Sequence, residues 1–397
     1  MKKALVIGYG VSGKGAEKLL KHLNYQVEIA DQVVTVPDQH FDLGVLSPGI
    51  PGSHPVPMEL RKRGVPVIGE AELALRHLSG TCIGVTGTNG KTTLTQFLAH
   101  VLKGKALGNV GESLAAYAVN PVQNEILVVE LSSYQLETLE RRALDFAIIT
   151  NITPDHMDRY ASFEAYAKTK WHIVDCLKEG GICFVPKELE GVRKNQILKH
   201  DRYQMIEKDS YLQLTSKEGY WTKLDQVTLS LAFAVCQRLG VSEKTFLDAL
   251  ATFEKPPHRL EYVCELDGVT FINDSKGTTP EATLYALKSI PKSVLLIAGG
   301  DSKGLTFEIW KEGLGKKVKA VFVIGEAGTK LKEMLTPFYE VHQIATLEEA
   351  TVQAYQVAKS GVTILLSPGC ASFDQFKNYA HRGEVFKNSI QQLRRGR

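Results

Sequence analysis

Short apolar runs alternate with amphipathic stretches along almost the whole chain. Brief runs bounded by turn residues predict buried strands, and apolar positions recurring every three to four residues predict helices. Their alternation predicts parallel sheets in an α/β protein. The first stretch predicts strands at Leu5–Ile7, Val27–Ala30, Val45-Leu46 and Val67-Ile68, with a helix running to about Leu23. Pro66 suits the position where a strand begins. The pattern restarts after Leu78-Ser79-Gly80 with Ile83-Gly84-Val85, then Ile126–Val129, Phe146–Thr150 and a run near Ile182–Val185. From about Glu188 to Lys217 the chain is polar with no readable period, and a helix from Leu229 to about Leu239 follows. Lys255-Pro256-Pro257 marks a second break or hinge. Beyond it, strands are predicted at Val269–Ile272, Val294–Ala298, Val321–Ile324 and Ile364–Leu366, each followed by a helix.

A length of 397 residues exceeds one ordinary core, and at ~150 residues per domain it predicts two or three. Apolar residues at 44% and charged residues at 23% describe a soluble globular protein. The net charge of +3, from 47 basic and 44 acidic residues, is too balanced to predict a nucleic-acid or membrane partner. The basic end Arg394-Arg395-Gly396-Arg397 reads as a solvated tail. Six scattered cysteines form no C-x-x-C pair, and most sit among apolar neighbours as reduced, buried thiols would. The opening Met1–Gly8 run is too short for a signal segment and no apolar stretch has transmembrane length, so a cytoplasmic protein is expected.

Gly87-Thr88-Asn89-Gly90-Lys91-Thr92-Thr93, directly after the Ile83–Val85 strand, has the character of a phosphate-cradling turn. Successive N–H groups and the helix dipole would hold phosphate oxygens, Lys91 would reach the β/γ-phosphates, and Thr92 would offer its hydroxyl to Mg²⁺. Val85 stands where the strict G-x-x-x-x-G-K-[ST] motif has its first glycine. ATP is therefore the expected co-substrate. A second glycine loop, Gly8-Tyr9-Gly10-Val11-Ser12-Gly13, also follows a strand, and Asp31 closes the next strand at the distance of a ribose-binding acid. Ser47-Pro48-Gly49 ends another strand of this segment and should face the same crevice. Taken alone, this loop suits a dinucleotide dehydrogenase, yet the same geometry serves any nucleotide diphosphate.

Glu130, at the end of Ile126–Val129 and opening Glu130-Leu131-Ser132-Ser133-Tyr134-Gln135, is a candidate Mg²⁺ ligand. Asn151 through Asp158 ends the next strand and gathers Asn, Asp and His; His156 there could ligate metal or cap the turn. In the helix that follows, Phe163, Tyr166, Ile173, Val174 and Leu177 share one face at ~100° per residue, with Lys170 in the middle of the stripe. Lys168 and His172 fall away from it. An unpaired buried ammonium costs several kcal/mol. Lys170 therefore either snorkels, pairs with an anion, or has its charge chemically changed.

In the last segment, Pro257-His258-Arg259 places a fixed cation at the hinge. Asn273-Asp274-Ser275-Lys276-Gly277-Thr278-Thr279-Pro280 follows a strand, with Thr279 a natural N-cap and Pro280 at the first helical position. Gly299–Gly304 ends the next strand and Ser367–Gln375 a later one, where Ser372 and Gln375 can form a capping box. Together these ends bring Lys276, Thr278, Lys303, Ser372 and a helix N-terminus to one edge, a constellation suited to a substrate with more than one carboxylate. Cys370 lacks a convincing His/Asn arrangement for a nucleophile.

These motifs together resemble the Mur ligase family of bacterial cell-wall synthesis, across essentially the whole length. Thr86-Gly87-Thr88-Asn89-Gly90-Lys91-Thr92 and Asn151 through Asp158 carry the family likeness. Glu130–Glu137, His156-Met157-Asp158-Arg159-Tyr160, Asn273-Asp274-Ser275-Lys276 and Ser367 to Asn378 look like the member that adds D-glutamate. The absence of Asp-Asn-Pro-Arg speaks against the diaminopimelate- or lysine-adding member. The resemblance implies three α/β domains. Residues 1–79 would be Rossmann-like and bind a UDP substrate, 80–257 a mostly parallel ATPase-type sheet, and 258–397 a Rossmann-like domain for ADP and D-glutamate. It implies UDP-N-acetylmuramoyl-L-alanine and D-glutamate as substrates, joined through an acyl phosphate, and a monomer. Gly10, Val11, Ser12, Asp31, Ser47 and Gly49 would then hold UDP, and Asn109 the muramoyl-alanine part. Thr92 and Glu130 match ligands of one Mg²⁺, and His156 with a carbamylated Lys170 those of a second. Arg259 and Asp274 match nucleotide contacts. Ser132, His156, Lys276, Thr278, Lys303, Ser372, Phe373 and Tyr379 match the D-glutamate site. Two departures stand out. Asp225-Gln226 replaces the usual His-Asn, leaving Gln226 to contact adenine, and Gly277 and Gly369 replace alanines, which should loosen two turns. The alternatives are a nicotinamide-dependent dehydrogenase, a folylpolyglutamate-type ligase, and a non-enzymatic ATP-binding module.

Overall fold

A computed structural model describes residues 1–109, 111–157, 159–194, 202–207 and 223–395. Val110, Asp158, Gly396, Arg397 and most of the unreadable polar stretch lie outside them. The chain forms two compact units, one of Met1–Ser216 with Gln226–Phe253 and one of Lys217–Asp225 with Glu254–Arg397. The division at Phe253/Glu254 falls beside Lys255-Pro256-Pro257.

The first unit carries two sheets. Strands β1 (Lys3–Ile7), β2 (Gln26–Ala30), β3 (Leu43–Leu46) and β4 (Val67–Gly69) form a parallel sheet in the order β2-β1-β3-β4. Its order reverses between β1 and β3, so the loops ending in Gly8–Gly13 and Ser47–Gly49 flank the crevice where such sheets bind ligands. Strands β5 (Cys82–Thr86), β6 (Lys105–Gly108), β7 (Leu127–Glu130), β8 (Leu144–Ile149), β9 (Leu177–Pro186) and β10 (Tyr203–Ile206) form the second, in the order β10-β9-β8-β5-β7-β6 and parallel throughout. Here β5 lies at the reversal, with β7 and β8 on either side. One apolar core runs continuously from Ala4, Val6 and Leu19 through Leu107 and Leu114 to Val129, Trp171 and Val185. Gly15 makes the joint close, because a Cβ there would stand 2.1 Å from Ser113 Oγ.

The second unit has strands β11 (Glu261–Leu266), β12 (Val269–Asn273), β13 (Val294–Gly299), β14 (Val318–Ile324), β15 (Glu340–Gln343) and β16 (Thr363–Leu366). The order is β11-β12-β16-β13-β14-β15, parallel except for the antiparallel β11–β12 pair. Alternation splits its core in two. Leu296, Val321 and Val323 pack with Trp310 on one face, while Leu295, Ala320 and Phe322 pack with Phe386 on the other.

The predicted helix from Leu229 begins earlier, at Lys223, and ends at Arg238. Leu177 opens β9 rather than continuing the Phe163–Trp171 helix. Strands β6, β10, β11 and β15 were not among those expected from the apolar runs. Thr279 does cap the helix Pro280–Ser289, accepting from Ala282 N at 3.3 Å with Pro280 at the first position.

Candidate active site

Gly87 (φ 141°) and Gly90 (φ 83°) turn the chain from β5 into the helix Lys91–Leu102. No larger residue fits at Gly87, where a Cβ would lie 2.0 Å from Thr150 Oγ1. The end of β8 clamps this loop. Asn151 Oδ1 accepts from Asn89 N at 2.9 Å, while Asn151 Nδ2 and Thr150 Oγ1 donate to Asn89 O at 3.0 and 2.6 Å. Thr88 Oγ1 donates to Thr153 O at 3.1 Å and lies 3.0 Å from the Tyr166 hydroxyl. The carbonyls are claimed by lysines: Lys91 Nζ donates to Gly87 O at 2.9 Å and Thr88 O at 2.8 Å, and Lys170 Nζ to Gly87 O at 2.9 Å.

Lys170 is 2% exposed, which rules out snorkelling. Its Nζ also stands 4.7 Å from the centre of the Tyr166 ring. Burial first, and the neighbouring Lys91 charge second, push its ammonium well below the usual lysine range. Two lysine side chains thus converge on one backbone oxygen.

Glu130 is buried at the end of β7, beside β5. Its Oε2 accepts from Thr92 Oγ1 at 2.6 Å and its Oε1 from Asn109 Nδ2 at 3.1 Å, so the sheet gathers three predicted residues. Among the described residues no group of three or more His, Cys, Asp or Glu is placed to hold a metal. A hydroxyl and one carboxylate are nevertheless a donor set that Mg²⁺ completes with substrate phosphates and water. Lys170 as an ammonium has no lone pair, so its side chain fits a metal only once it has lost that proton or been modified.

Ser132 forms a capping box with Gln135, accepting from Gln135 N at 3.2 Å while Gln135 Oε1 accepts from Ser132 N at 2.9 Å. His156 adopts φ 56°, with Nδ1 2.9 Å from the Tyr134 hydroxyl and Nε2 3.5 Å from Asp155 Oδ2. The rings of Tyr134, His156, Tyr166 and Tyr160 stand 4.9 to 6.3 Å apart around a closed circuit.

The loop after β1 is built differently. Gly8 (φ 81°) accepts at its carbonyl oxygen from Ser47 Oγ at 2.7 Å, and a Cβ on Gly13 would stand 2.1 Å from that same oxygen. Asp31 Oδ1 accepts from Tyr9 N at 3.1 Å. Gly10 occupies the N-cap of the helix Val11–His22, and Val11 is exposed.

In the second unit the ends of β12, β16 and β13 are neighbours. Asp274 is buried, accepts from Ser367 Oγ at 2.7 Å and Leu260 N at 3.2 Å, and is pushed up to about 7 by burial, with Arg259 pulling the other way. His258 (φ 64°) is buried with Nδ1 2.9 Å from Asn273 Nδ2. Lys276 Nζ stands 5.0 Å from the centre of the Tyr379 ring, and Lys303 Nζ 4.8 Å from that of Phe373, which is 64% exposed. Ser372 is buried, and Thr278 is partly exposed.

Two expectations fail here. Ser372 and Gln375 form no capping box: the next helix begins only at Tyr379, and Gln375 Nε2 donates to Ala345 O at 3.0 Å. Gly369 does not loosen its turn, because it has φ 64° and a Cβ would lie 2.4 Å from the Trp310 ring. Gly277 is equally confined, with Asp274 Oδ2 at 2.5 Å from its Cβ position. Cys370 is an inert buried thiol, pushed up to about 12. Gln226 lies partly exposed in the first unit, on the helix Lys223–Arg238; the Asp225 side chain lies outside the described residues.

Sequence reasoning missed Arg382, which is wholly buried. It donates to Ser275 Oγ and O at 3.0 and 2.8 Å and to the Ala371 and Cys370 carbonyls at 3.1 Å. It thereby ties the loop after β12 to the one after β16. An arginine three residues into an amphipathic helix carries no sequence signal of this kind.

The site has the parts of an ATP-dependent ligase, and sequence comparison bears on that class directly. The family described as Mur ligase middle domain matches residues 85–223, and that described as Mur ligase, glutamate ligase domain matches 258–370. The chain belongs to the Mur ligase family, whose members use ATP, typically with Mg²⁺. It is 41% identical to the UDP-N-acetylmuramoylalanine--D-glutamate ligase of Protochlamydia amoebophila over 99% of this chain and 98% of that protein. It is 36% identical to the Aquifex aeolicus protein of the same name over 98% of each. Among solved structures it is similar to the MurF ligase of Thermotoga maritima in complex with ADP, with a TM-score of 0.60 at 19% identity over 91% of this chain and 98% of that one. A pseudomurein peptide ligase type C from Methanothermus fervidus gives a TM-score of 0.60 at 17% identity, covering 99% and 100%. These structures establish a shared fold. The relatives do not favour the dehydrogenase alternative. No helix of the described residues is long and apolar enough to cross a membrane.

Proposed function

We propose that this chain joins D-glutamate to UDP-N-acetylmuramoyl-L-alanine at the expense of ATP, as a cytoplasmic monomer in peptidoglycan precursor synthesis. The observation that carries the reading is the meeting of Lys91 and Lys170 on the Gly87 carbonyl, at the sheet reversal that also gathers Thr92, Glu130 and Asn109. Whole-length identity to ligases of that name supports the choice of substrates.

A carboxylate resists attack by an amine because its leaving group would be oxide. Transfer of the γ-phosphoryl group to the alanyl carboxylate would release ADP and give an acyl phosphate. The D-glutamate amine would then add to its carbonyl carbon and lose a proton, and the C–O bond to phosphate would break, expelling inorganic phosphate. The carboxylate and the triphosphate repel each other, so catalysis is mostly positioning and charge neutralisation. Thr88, Asn89, Gly90 and Thr93 would cradle the phosphates, and Lys91 would swing from the loop carbonyls to the γ-phosphate. Thr92 and Glu130 would hold a Mg²⁺ that screens phosphate charge.

For Lys170 we propose a carbamate. Burial disfavours the ammonium, and the amine in its neutral form would make an N–C bond to CO₂ and lose one proton. The product is an anion on the side chain now crowding Lys91, and with His156 it would hold a second ion. Residues 1–79 would form the UDP-substrate domain through Gly10, Val11, Ser12, Asp31, Ser47 and Gly49, with Asn109 reaching the muramoyl-alanine part, and 80–257 the ATP domain with Gln226 near adenine. Residues 258–397 would supply Arg259 and Asp274 to the nucleotide. Lys276, Thr278, Lys303, Ser372, Phe373 and Tyr379, with Ser132 and His156, would serve D-glutamate.

The test is phosphate release from ATP with each amino acid, with and without the UDP acceptor. Turnover that requires both the acceptor and D-glutamate is expected. Release that ignores the acceptor, or prefers another amino acid, would overturn the reading.

A further inference from the structure

Arg159 is absent from the set of residues assigned above, yet it ties the loop after β3 to the segment after β7. Its NH1 donates to Pro48 O at 3.1 Å, in the loop at the end of β3. Its Nε and NH2 grip both oxygens of Glu137 at 3.1 and 2.6 Å, and the guanidinium lies 4.0 Å from the centre of the Tyr134 ring. The same Glu137 accepts from the Tyr160 hydroxyl at 2.6 Å, and the Tyr134 hydroxyl sits 2.9 Å from His156 Nδ1. The pair is mostly shielded, with 13% of the Arg159 side chain and 25% of that of Glu137 exposed.

Each contact has a direction. Pro48 lies between Ser47, whose hydroxyl locks the Gly8 carbonyl, and Gly49. One end of the guanidinium therefore holds the loops at the first sheet's reversal. The other end, through the Tyr134 face and its hydroxyl, holds the His156 turn beside the phosphate loop. Only a planar, always-charged fork meets a backbone oxygen, a bidentate carboxylate and an aromatic face at once. Arg61, by contrast, donates from an exposed position to Gly52 O at 2.9 Å, nine residues before it in the chain.

We propose that Arg159 is a positioning residue that sets the UDP-acceptor loops at a fixed distance from the phosphate loop, so that the acceptor's carboxylate arrives in line with the γ-phosphate. This rests on the ligase reading above. Arg159 touches neither reacting group; it acts through Pro48 and through Tyr134 and His156.

The experiment measures KM for acceptor, ATP and D-glutamate separately in the full chain, with calorimetric binding of the acceptor alone and a melting curve. For Arg159→Ala we expect acceptor KM and Kd to rise at least tenfold, with the KM values for ATP and D-glutamate within twofold of the parent. Arg159→Lys, which keeps the charge and loses the fork, should show a smaller rise of the same pattern and carries the test if the alanine variant does not fold. Arg61→Ala should match the parent. Acceptor KM and Kd within twofold of the parent in both variants overturn the proposal, as does a uniform loss in all three substrates accompanied by a lowered melting point. A parent enzyme with no acceptor-dependent phosphate release overturns the ligase reading instead, so the two failures are distinct.

Discussion

After β1 the chain turns through Gly8 and Gly10 into the helix Val11–His22; after β5 it turns through Gly87 and Gly90 into the helix Lys91–Leu102. The first turn is held by a neutral hydroxyl on Gly8 O and a carboxylate on Tyr9 N. The second is held by side chains from β8 and carries two lysines on one carbonyl, beside a buried glutamate. Glycines and a helix N-terminus suffice to hold a phosphate in either loop. Moving a phosphoryl group requires charge concentrated where water is scarce, and only the second loop has that.

If this division is right, the largest effects belong to the second loop. Lys91→Ala should lower kcat by at least ~10²–10³-fold, the cost of removing one preorganised charge donor. Lys170→Ala should be at least as damaged and partly rescued by added short carboxylates, measured as phosphate release. An active Lys170→Ala enzyme that ignores bicarbonate would break the comparison. Gly87→Ala and Gly13→Ala sharpen it. Both place a methyl about 2 Å from a neighbour, a strain of ~1–3 kcal/mol, but Gly87→Ala should lose kcat while Gly13→Ala should mainly raise acceptor KM.

A third difference is in pH response. Glu70, after β4, accepts from Ala115 N at 2.8 Å through one oxygen while the other is buried without a partner. Burial pushes it up from 4.5 to about 7. The folded state therefore binds the proton more tightly than the unfolded one. The stability this gives is complete below about pH 4.5 and lost as pH rises through about 7, by up to about 3 kcal/mol. Glu70→Gln should flatten that slope in urea melts at pH 5 and pH 8 and be more stable than the parent at pH 8. Asp274, also raised to about 7, keeps its own share in both proteins. The smallest effect expected is from Ser47→Ala, which removes one hydrogen bond worth about 1 kcal/mol and should change acceptor KM a few-fold with kcat intact.

The strands missed from the pattern share a cause. Strands β6, β10, β11 and β15 are the four outer strands of the two six-stranded sheets. An edge strand is half solvated and lacks the continuous apolar run of a strand buried on both faces. Glu340–Gln343, for instance, has no residue that is buried. Lys170 was legible because one cation in an apolar stripe violates helix amphipathicity. Arg382 and Arg159 were not, because each is defined by loops far away in the chain.

The sequence by itself determined the central strands, the two glycine turns, the Thr279–Pro280 helix start and the inward-facing Lys170, all set by local periodicity or by the conformational needs of one residue. Tertiary structure decided which oxygens the lysines meet and that Glu130 receives both Thr92 and Asn109. It also decided that Gly369 must be glycine beneath Trp310 and that Arg159 spans two loops. Those outcomes depend on strand order, which brings residues 21 to 111 positions apart within hydrogen-bond reach, and no spacing along the chain encodes that order.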